Sequence, residues 1–552
     1  MTSSATTHRR LPRSSGFLHT LLAVAVTAAL AVALLVGVGG AAPASAATGT
    51  IVSFTFDDAN ADQLPAASYL KSKGMTGTFF LVSGFIGFPN YMTLPNVQSL
   101  VADGHEIAGH TISHPDLAAV SVDEATRQIC NDRVNWANWG IPVANFAYPF
   151  ASSTPAVETA AKNCGANSAR GLGDVKTRFS CGTCPVGEKV PPAAPYYTAA
   201  PDQVDSTWTL ADLENSVTQA EAKKNGSWVQ LTFHHICTGA VTGCPAPSIS
   251  PTIFDQFVDW LAPRAASNGT VVKTVGAVIG GATKPAVPGP VAPPAAPGVN
   301  AIKNPSMETF NATTGLPQCY LAGGYGTNTP SWAVTTDAHT GTNAVTLTVT
   351  NYTDGDAKLV PGLDLGDCAP TVTPGQTYTI GEWYKSTAVT QFALFYRTPN
   401  GLWNYWTSSP WFAASPSYAQ ATLVTPPVPA GATAVSFGLN LFNNGTLTTD
   451  DLSMTQAGAA PAGLRSPSLT PAAQILDVSA ASAVSAVSAG PGSNSGQKPP
   501  KNKGDKIATH NTVPGPTAPN TAGRGGKKPQ LGPAPGELTL PPFVVSPELT
   551  RG

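Results

Sequence analysis

The sequence predicts an α/β domain followed by an all-β domain, and three observations carry that reading. Between residues 47 and 283, strand-like runs alternate with helical runs. From 300 to 457 the runs are short, rich in Thr, Val and aromatics, and carry no helical period. Between the two lies Lys284 to Val299, KPAVPGPVAPPAAPGV, whose Pro/Ala/Gly composition reads as an extended, semi-rigid linker.

In the first domain the expected strands are Ile51 to Phe56, Gly77 to Val82, Glu106 to Gly109, Asn145 to Tyr148 and Trp228 to Phe233. In the first of these Phe54 and Phe56 face one side and Ser53 and Thr55 the other. Helices are expected over Ala61 to Lys73, Ser121 to Trp139 and Leu210 to Lys224. The second opens with Ser121 and Glu124 at capping-box spacing. Repeated βα units of this kind suggest a barrel. In the later domain Asn343 to Thr350, Thr377 to Tyr384, Phe392 to Arg397 and Ala434 to Leu441 read as strands. Pro399-Asn400-Gly401 reads as a hairpin turn, because Asn-Gly suits positive φ. A β-sandwich is the natural architecture.

The chain has 552 residues, room for two to four domains at ~100 to 200 residues each. Charged residues are only 11% of the chain and the net charge is -2, so nothing is built for nucleic acid. His8, Arg9, Arg10 and Arg13 precede an apolar run from Leu21 to Val38 and an Ala44-Ser45-Ala46 cleavage pattern. Residues 1–46 therefore read as a signal peptide, with a secreted or cell-wall location. The apolar run exceeds the usual ~7 to 15 residues, so an uncleaved membrane anchor is the alternative. Residues 458–552 lose hydrophobic periodicity and read as a disordered tail, and the protein is expected to be a monomer.

Export makes the eight cysteines disulfide candidates. Cys319 and Cys368 stand alone in the later region and are expected to pair. Cys181, Cys184, Cys237 and Cys244 offer a four-thiolate zinc site as the alternative to disulfides.

The chemistry gathers at strand ends. Asp57 and Asp58 follow the first strand, and two adjacent carboxylates repel unless something divides their tasks. His110 and His114, in GHTISHP, are spaced to place both imidazoles on one face of a turn, and Pro115 keeps His114 out of a long helix. Two neutral imidazoles and one carboxylate make a divalent-metal triad with open positions, which leaves the second carboxylate as a base or an orienting group. His234 and His235 end another strand, and one of them is a candidate proton donor. Taken singly, each motif has a bland reading: a helix cap, a structural histidine, a satisfied core residue.

In order, TFDD, HTISH, FAYPF and LTFHH resemble the first, second, third and last motifs of the polysaccharide deacetylases of carbohydrate esterase family 4, over about Thr48 to Gly281, while the family's fourth motif, D-x-x-D-W, has no counterpart here. The resemblance implies a distorted (β/α) barrel and hydrolysis of an acetyl group from a sugar. It implies Asp57 as catalytic base, His234 as acid with His235 as the alternative, and Asp58, His110 and His114 as ligands of one divalent metal ion, zinc above all. Tyr148 and Phe150 would line the substrate groove, with the Tyr148 main-chain N–H adding to an oxyanion hole. Three positions depart from the family: Ala59 and Ala151 stand where Gly is usual, and Ala147 where many members carry Arg. Arg170 is the candidate replacement partner for Asp57.

The later domain, with NPSME at its start, TPGQTYTIGEWYKS within it and TTDDLSM at its end, resembles jelly-roll carbohydrate-binding modules. Among Trp332, Trp383, Tyr396, Trp403, Tyr405, Trp406 and Trp411, two or three are expected as sugar-stacking platforms and the rest as core. Asp450 and Asp451 are candidate ligands of a structural calcium, or simply end a strand. The activity expected is deacetylation of chitin, chitooligosaccharide or peptidoglycan. The alternatives are an acetyl xylan esterase and an inactive carbohydrate-binding surface protein.

Overall fold

The computed structural model of the protein describes residues 49–457, except 181, 224–225, 239–243 and 313, and a two-residue strand at 475–476. The expected signal peptide and tail lie outside this range. No helix among the described residues is long and apolar enough to cross a membrane.

The first domain runs β1 (Ile51–Asp57), α1 (Leu64–Ser72), β2 (Gly77–Leu81), α2 (Leu94–Ala102), β3 (Glu106–Gly109), α3 (Val122–Asn138), β4 (Asn145–Ala147), α4 (Pro155–Asn163), β5 (Ser168–Arg170), α5 (Leu210–Glu221) and β6 (Trp228–Phe233). Beyond these lie a two-residue pair, β7 (His235–Ile236) and β8 (Ser248–Ile249), then α6 (Pro251–Leu261) and β9 (Val271–Val272). All pairings in the main sheet are parallel, in the order β5-β4-β3-β2-β1-β6, with β9 alongside β1. Parallel neighbours need a crossover, and α1 to α4 supply one each between β1 and β5.

The sheet is a half-barrel, because β5 and β6 are its two edges and do not pair. Irregular chain closes the gap. Thr198 bridges to Arg170 on β5, and Gln230 on β6 donates to Thr198 Oγ1 and Ala199 O, both at 3.1 Å.

The alternation read in β1 holds, but both of its faces are buried, as a covered parallel sheet requires. Phe54 and Phe56 pack with Phe79, Phe233, Phe254 and Phe257 in the main core, where Phe56 stacks on Phe79 at 4.4 Å. Burying each ring contributes about 1.5–3 kcal/mol. On the opposite face every hydroxyl is satisfied: Ser53 donates to Lys273 O and Thr55 pairs with Thr232.

The second domain is a sandwich of antiparallel sheets built from β10 (Tyr320–Tyr325), β11 (Thr329–Thr335), β12 (Ala344–Thr350), β13 (Asp356–Pro361), β14 (Tyr378–Ser386), β15 (Thr390–Arg397), β16 (Trp403–Ser408), β17 (Trp411–Phe412), β18 (Ser415–Val424), β19 (Ala434–Leu441) and β20 (Gly445–Gln456). One sheet is ordered β10-β13-β19-β15-β17, with β16 also on β15, and the other β11-β12-β20-β14-β18. The 398–402 turn forms as expected. Gly401 sits at φ 85°, and Thr398 N–H donates to Leu402 O across it.

Cys319 pairs with Cys368, Cys130 with Cys164 and Cys237 with Cys244. Cys184 is also disulfide-bonded. The four-thiolate zinc alternative is therefore corrected, since sulfurs bonded to each other have no thiolate to give a metal.

Candidate active site

Parallel strands share one direction, so the ends of β1, β3, β4, β5 and β6 open at one edge of the sheet. Asp57 closes β1, His110 follows β3, Phe150 lies just past β4, Arg170 closes β5 and His234 follows β6. Residues up to 177 positions apart in sequence thus meet.

Asp58, His110 and His114 offer ligand atoms that all lie within 4.8 Å of one another. Asp58 Oδ1 is 3.4 Å from His110 Nε2 and 3.2 Å from His114 Nε2, and the two Nε2 atoms are 3.1 Å apart. His110 Nδ1 lies 2.8 Å from Ala147 O. A carbonyl can only accept, so Nδ1 carries the proton and the Nε2 lone pair is left toward Asp58 and His114. Asp58 Oδ1 and His114 Nδ1 are buried without a regular partner. An anionic oxygen and two ring nitrogens crowded together in a largely buried site fit a divalent cation. Burial alone would raise the Asp58 carboxyl. The charge of His114, with hydrogen bonding to His110 and His114, outweighs it and holds the carboxyl well below its ordinary range.

Asp57 is separated from its neighbour by a different set of contacts. Its carboxylate meets Arg170 Nη2 at 2.5 Å, and Arg170 Nη1 donates to Thr232 Oγ1 at 3.0 Å. Both members of the pair are buried. The replacement suggested for the missing third-motif Arg is therefore in contact, delivered from β5. Asp57 Oδ1 is buried and unpartnered. His234 Nε2 lies 4.0 Å from Asp57 Oδ2, and burial pushes its imidazole below the ordinary value against the pull of Asp58 and Asp57. His235 instead turns to Asp62, with Nδ1 to Oδ2 at 2.8 Å. Asp62 and His235 also come close to Cys237, but its sulfur is held in the bond to Cys244.

Phe150 is 46% exposed and presents its ring edge-on to His114 at 4.7 Å. Tyr148 corrects the expectation placed on it. It is 2% exposed, packs against Phe146, and donates its hydroxyl to Tyr196 O, so it is core and not groove wall. Its main-chain N–H is donated to Arg170 O at 3.2 Å, which removes it from an oxyanion hole.

Strain concentrates here. Asp58, Ala59, Thr111, His114, Phe150 and Ala151 all have φ between 52° and 76°, a region costly for residues with a Cβ. The two alanines in glycine positions are thus held left-handed. Gln63, which nothing in the sequence singles out, is wholly buried and donates to Asp57 O at 2.6 Å and His234 O at 2.7 Å. One side chain thereby ties the ends of β1 and β6 together.

In the sandwich, Asp450 and Asp451 hold the 339–340 loop. Asp450 Oδ2 accepts from the main-chain N–H of His339 and Thr340, while Asp451 meets His339 Nδ1 and Thr340 Oγ1. All seven aromatic side chains named above are half-buried. Trp332, Tyr396 and Trp406 pack on the core, and Trp383 stacks on His339 at 3.9 Å.

Residues 44–169 match the family described as polysaccharide deacetylase. Among solved structures, a Streptococcus pyogenes deacetylase, PplD, in complex with acetate is 17% identical, with 30% of this chain and 69% of that one covered at TM-score 0.26. A family 4 acetyl xylan esterase from Clostridium thermocellum with a cobalt ion is 18% identical over 42% and 90% of the two chains, at TM-score 0.29. The peptidoglycan N-acetylglucosamine deacetylase Bc1960 is 19% identical over 42% and 89%, at TM-score 0.28. At these identities none lends its substrate to the present chain. The matched segment contains the paired carboxylates, both histidines of the metal-type cluster and Phe150, and it stops one residue short of Arg170. Residues 44–169 are thus similar to a polysaccharide deacetylase domain.

Proposed function

We propose that the protein is an exported, metal-dependent hydrolase that removes acetyl groups from N-acetylglucosamine-containing polysaccharide of the chitin, chitooligosaccharide or peptidoglycan type. The observation that carries the reading is the convergence of Asp58 Oδ1 with the Nε2 atoms of His110 and His114 beside a separate Asp57–Arg170 pair. Asp58, His110 and His114 would hold the ion, zinc or another divalent cation that takes imidazole and carboxylate ligands. When bound, such an ion acts as a Lewis acid toward the acetyl carbonyl and acidifies water.

The remaining roles belong to the chain's own side chains. Arg170 fixes Asp57 as an oriented carboxylate whose Oδ1 stays free to take the proton of the attacking water. His234 protonates the departing nitrogen. Its Nε2 stands 4.0 Å from Asp57 Oδ2, from which the proton taken from water can pass to it, whereas His235 is committed to Asp62. Phe150 offers an exposed ring beside His114 for the apolar face of a sugar.

Acetate release by the full chain, on chitooligosaccharides beside acetylated xylan, with chelator and then zinc, tests the reading. Zinc-restored release from chitooligosaccharides is expected. Release from xylan alone would transfer the activity to O-acetyl ester cleavage, and no release from either would overturn the hydrolase. Asp57→Asn should keep metal uptake and cut turnover roughly 10²- to 10⁴-fold. Near-parental turnover would remove Asp57 from the base role.

A further inference from the structure

We propose that the β-sandwich is a brace for the metal-binding loop, and not a tethered sugar-binding module alone. The inference rests on the reading of Asp58, His110 and His114 as the metal site. The Pro-rich segment between the domains does not act as a spacer. It lies along α3, where Gly289 N–H donates to Asn131 Oδ1 and Arg133 Nη2 donates to Lys284 O.

Two sandwich loops reach the same helix. Leu365 N–H donates to Glu124 Oε1 at 2.8 Å, and Asp367 takes Arg127 Nη2 at 2.8 Å and Ser121 Oγ at 2.6 Å. Asn135 Nδ2 donates to Asn400 O at 2.9 Å at the hairpin tip. The first loop is itself rigid. Asp364 caps the N–H groups of Gly366, Cys368 and Ala369, Arg397 donates to Asp364 O, and the Cys319–Cys368 bond pins its end.

From Glu124 the contacts continue inward. Glu124 Oε1 accepts from Gln128 Nε2 at 3.1 Å, and Gln128 Oε1 accepts the main-chain N–H of Ile112 at 3.2 Å and of Ser113 at 3.1 Å. Those two peptides lie between His110 and His114. Glu124 and Gln128 are both buried, so these bonds lack water as a substitute partner. Packing repeats the connection. A Cβ on Gly401 would come within 3.0 Å of both Ile112 Cδ1 and Leu365 Cδ2, so the hairpin tip lies directly against the loop. With Thr111 at φ 75° and His114 at φ 57°, the loop is strained, and outside contacts must hold it. Gln128 and Glu124 are positioning residues, and the sandwich supplies the other half of the clamp.

The test is a titration of Zn(II) into the metal-stripped full chain, followed by d–d spectra of the Co(II)-loaded form. Glu124→Leu and Gly401→Ala should each weaken zinc at least tenfold and alter the cobalt spectrum, while the melting temperature of the metal-free protein stays within a few degrees of the parent. Ile112→Ala should recover only part of the affinity in the Gly401→Ala background, because it relieves the contact with Ile112 and leaves the left-handed strain and the Leu365 contact at position 401, and Glu124→Gln, which keeps the acceptor for Leu365, should lie near the parent. Parental zinc affinity in both Glu124→Leu and Gly401→Ala would overturn the brace and leave the site intact. Failure of the parent itself to take up metal would overturn both.

Discussion

Asp57 and Asp58 are neighbours with opposite assignments, and the division comes from what each touches. Asp57 meets a guanidinium from β5, and Asp58 meets two imidazoles from the loop after β3. The same segment is paid for in backbone strain. Ala151, half-buried at φ 52°, is the position where that strain is most easily relieved, since its methyl makes fewer core contacts than that of the wholly buried Ala59. Ala151→Gly is expected to raise stability by about 0.5 kcal/mol in urea melts, the left-handed strain released less the added freedom of the unfolded chain. A loss of stability would show that the methyl's contacts outweigh the strain.

Glu382 is the corresponding residue in the sandwich. It is wholly buried, accepts Leu439 N–H at 3.1 Å, and burial pushes its carboxyl up from 4.5 to about 8. The native state keeps a proton that the unfolded chain sheds near pH 4.5. The stability this group contributes is therefore whole below that pH and is lost as pH rises through about 8. Glu382→Gln keeps the acceptor and removes the charge. Between pH 5 and pH 9 it should lose less stability than the parent, by on the order of 4 kcal/mol. Identical pH profiles would contradict the buried acid.

Among elements, α3 connects the most parts of the molecule. Ser121 caps its start by accepting Glu124 N–H at 3.0 Å, as the capping-box spacing suggests. The reciprocal half of the box is replaced, because the Glu124 carboxylate goes to Leu365, Arg127 and Gln128. Cys130 joins this helix to Cys164 at the end of α4, across a separation of 34 residues. Replacing both cysteines with Ala should cost about 3 kcal/mol in chemical denaturation, through the loop freedom returned to the unfolded chain. A cost below about 1 kcal/mol would mean that packing of α3 on α4 suffices without the bond.

For the whole molecule, an ion at the proposed site would couple to stability, because Asp58, His110 and His114 come from two segments that only the fold brings together. Zinc at about one hundred times its dissociation constant should stabilise the metal-free protein by about 2.7 kcal/mol in thermal melts. His114→Ala should abolish that shift together with turnover. A parent whose melting temperature does not respond to zinc would remove the ion from the native site.

Much of this was legible in the chain itself. Glu106–Gly109, Trp228–Phe233 and Ala434–Leu441 occur with the boundaries that alternation predicts, because a two-residue period and β-branched composition are local properties. The Asp57-Asp58, His110/His114 and His234 motifs were readable for the same reason: each is short and sits at a strand end. The helices α2, α4 and α6 were not singled out, and Gln63 and Gln128 carry no signal, since one glutamine in a helix looks like any other. Local pattern determined the strands and the candidate ligands. Only the tertiary structure decided that Arg170 pairs with Asp57, that Tyr148 is core and that the sandwich loops reach the helix beside His110 and His114, because each depends on contacts across many residues that no local period encodes.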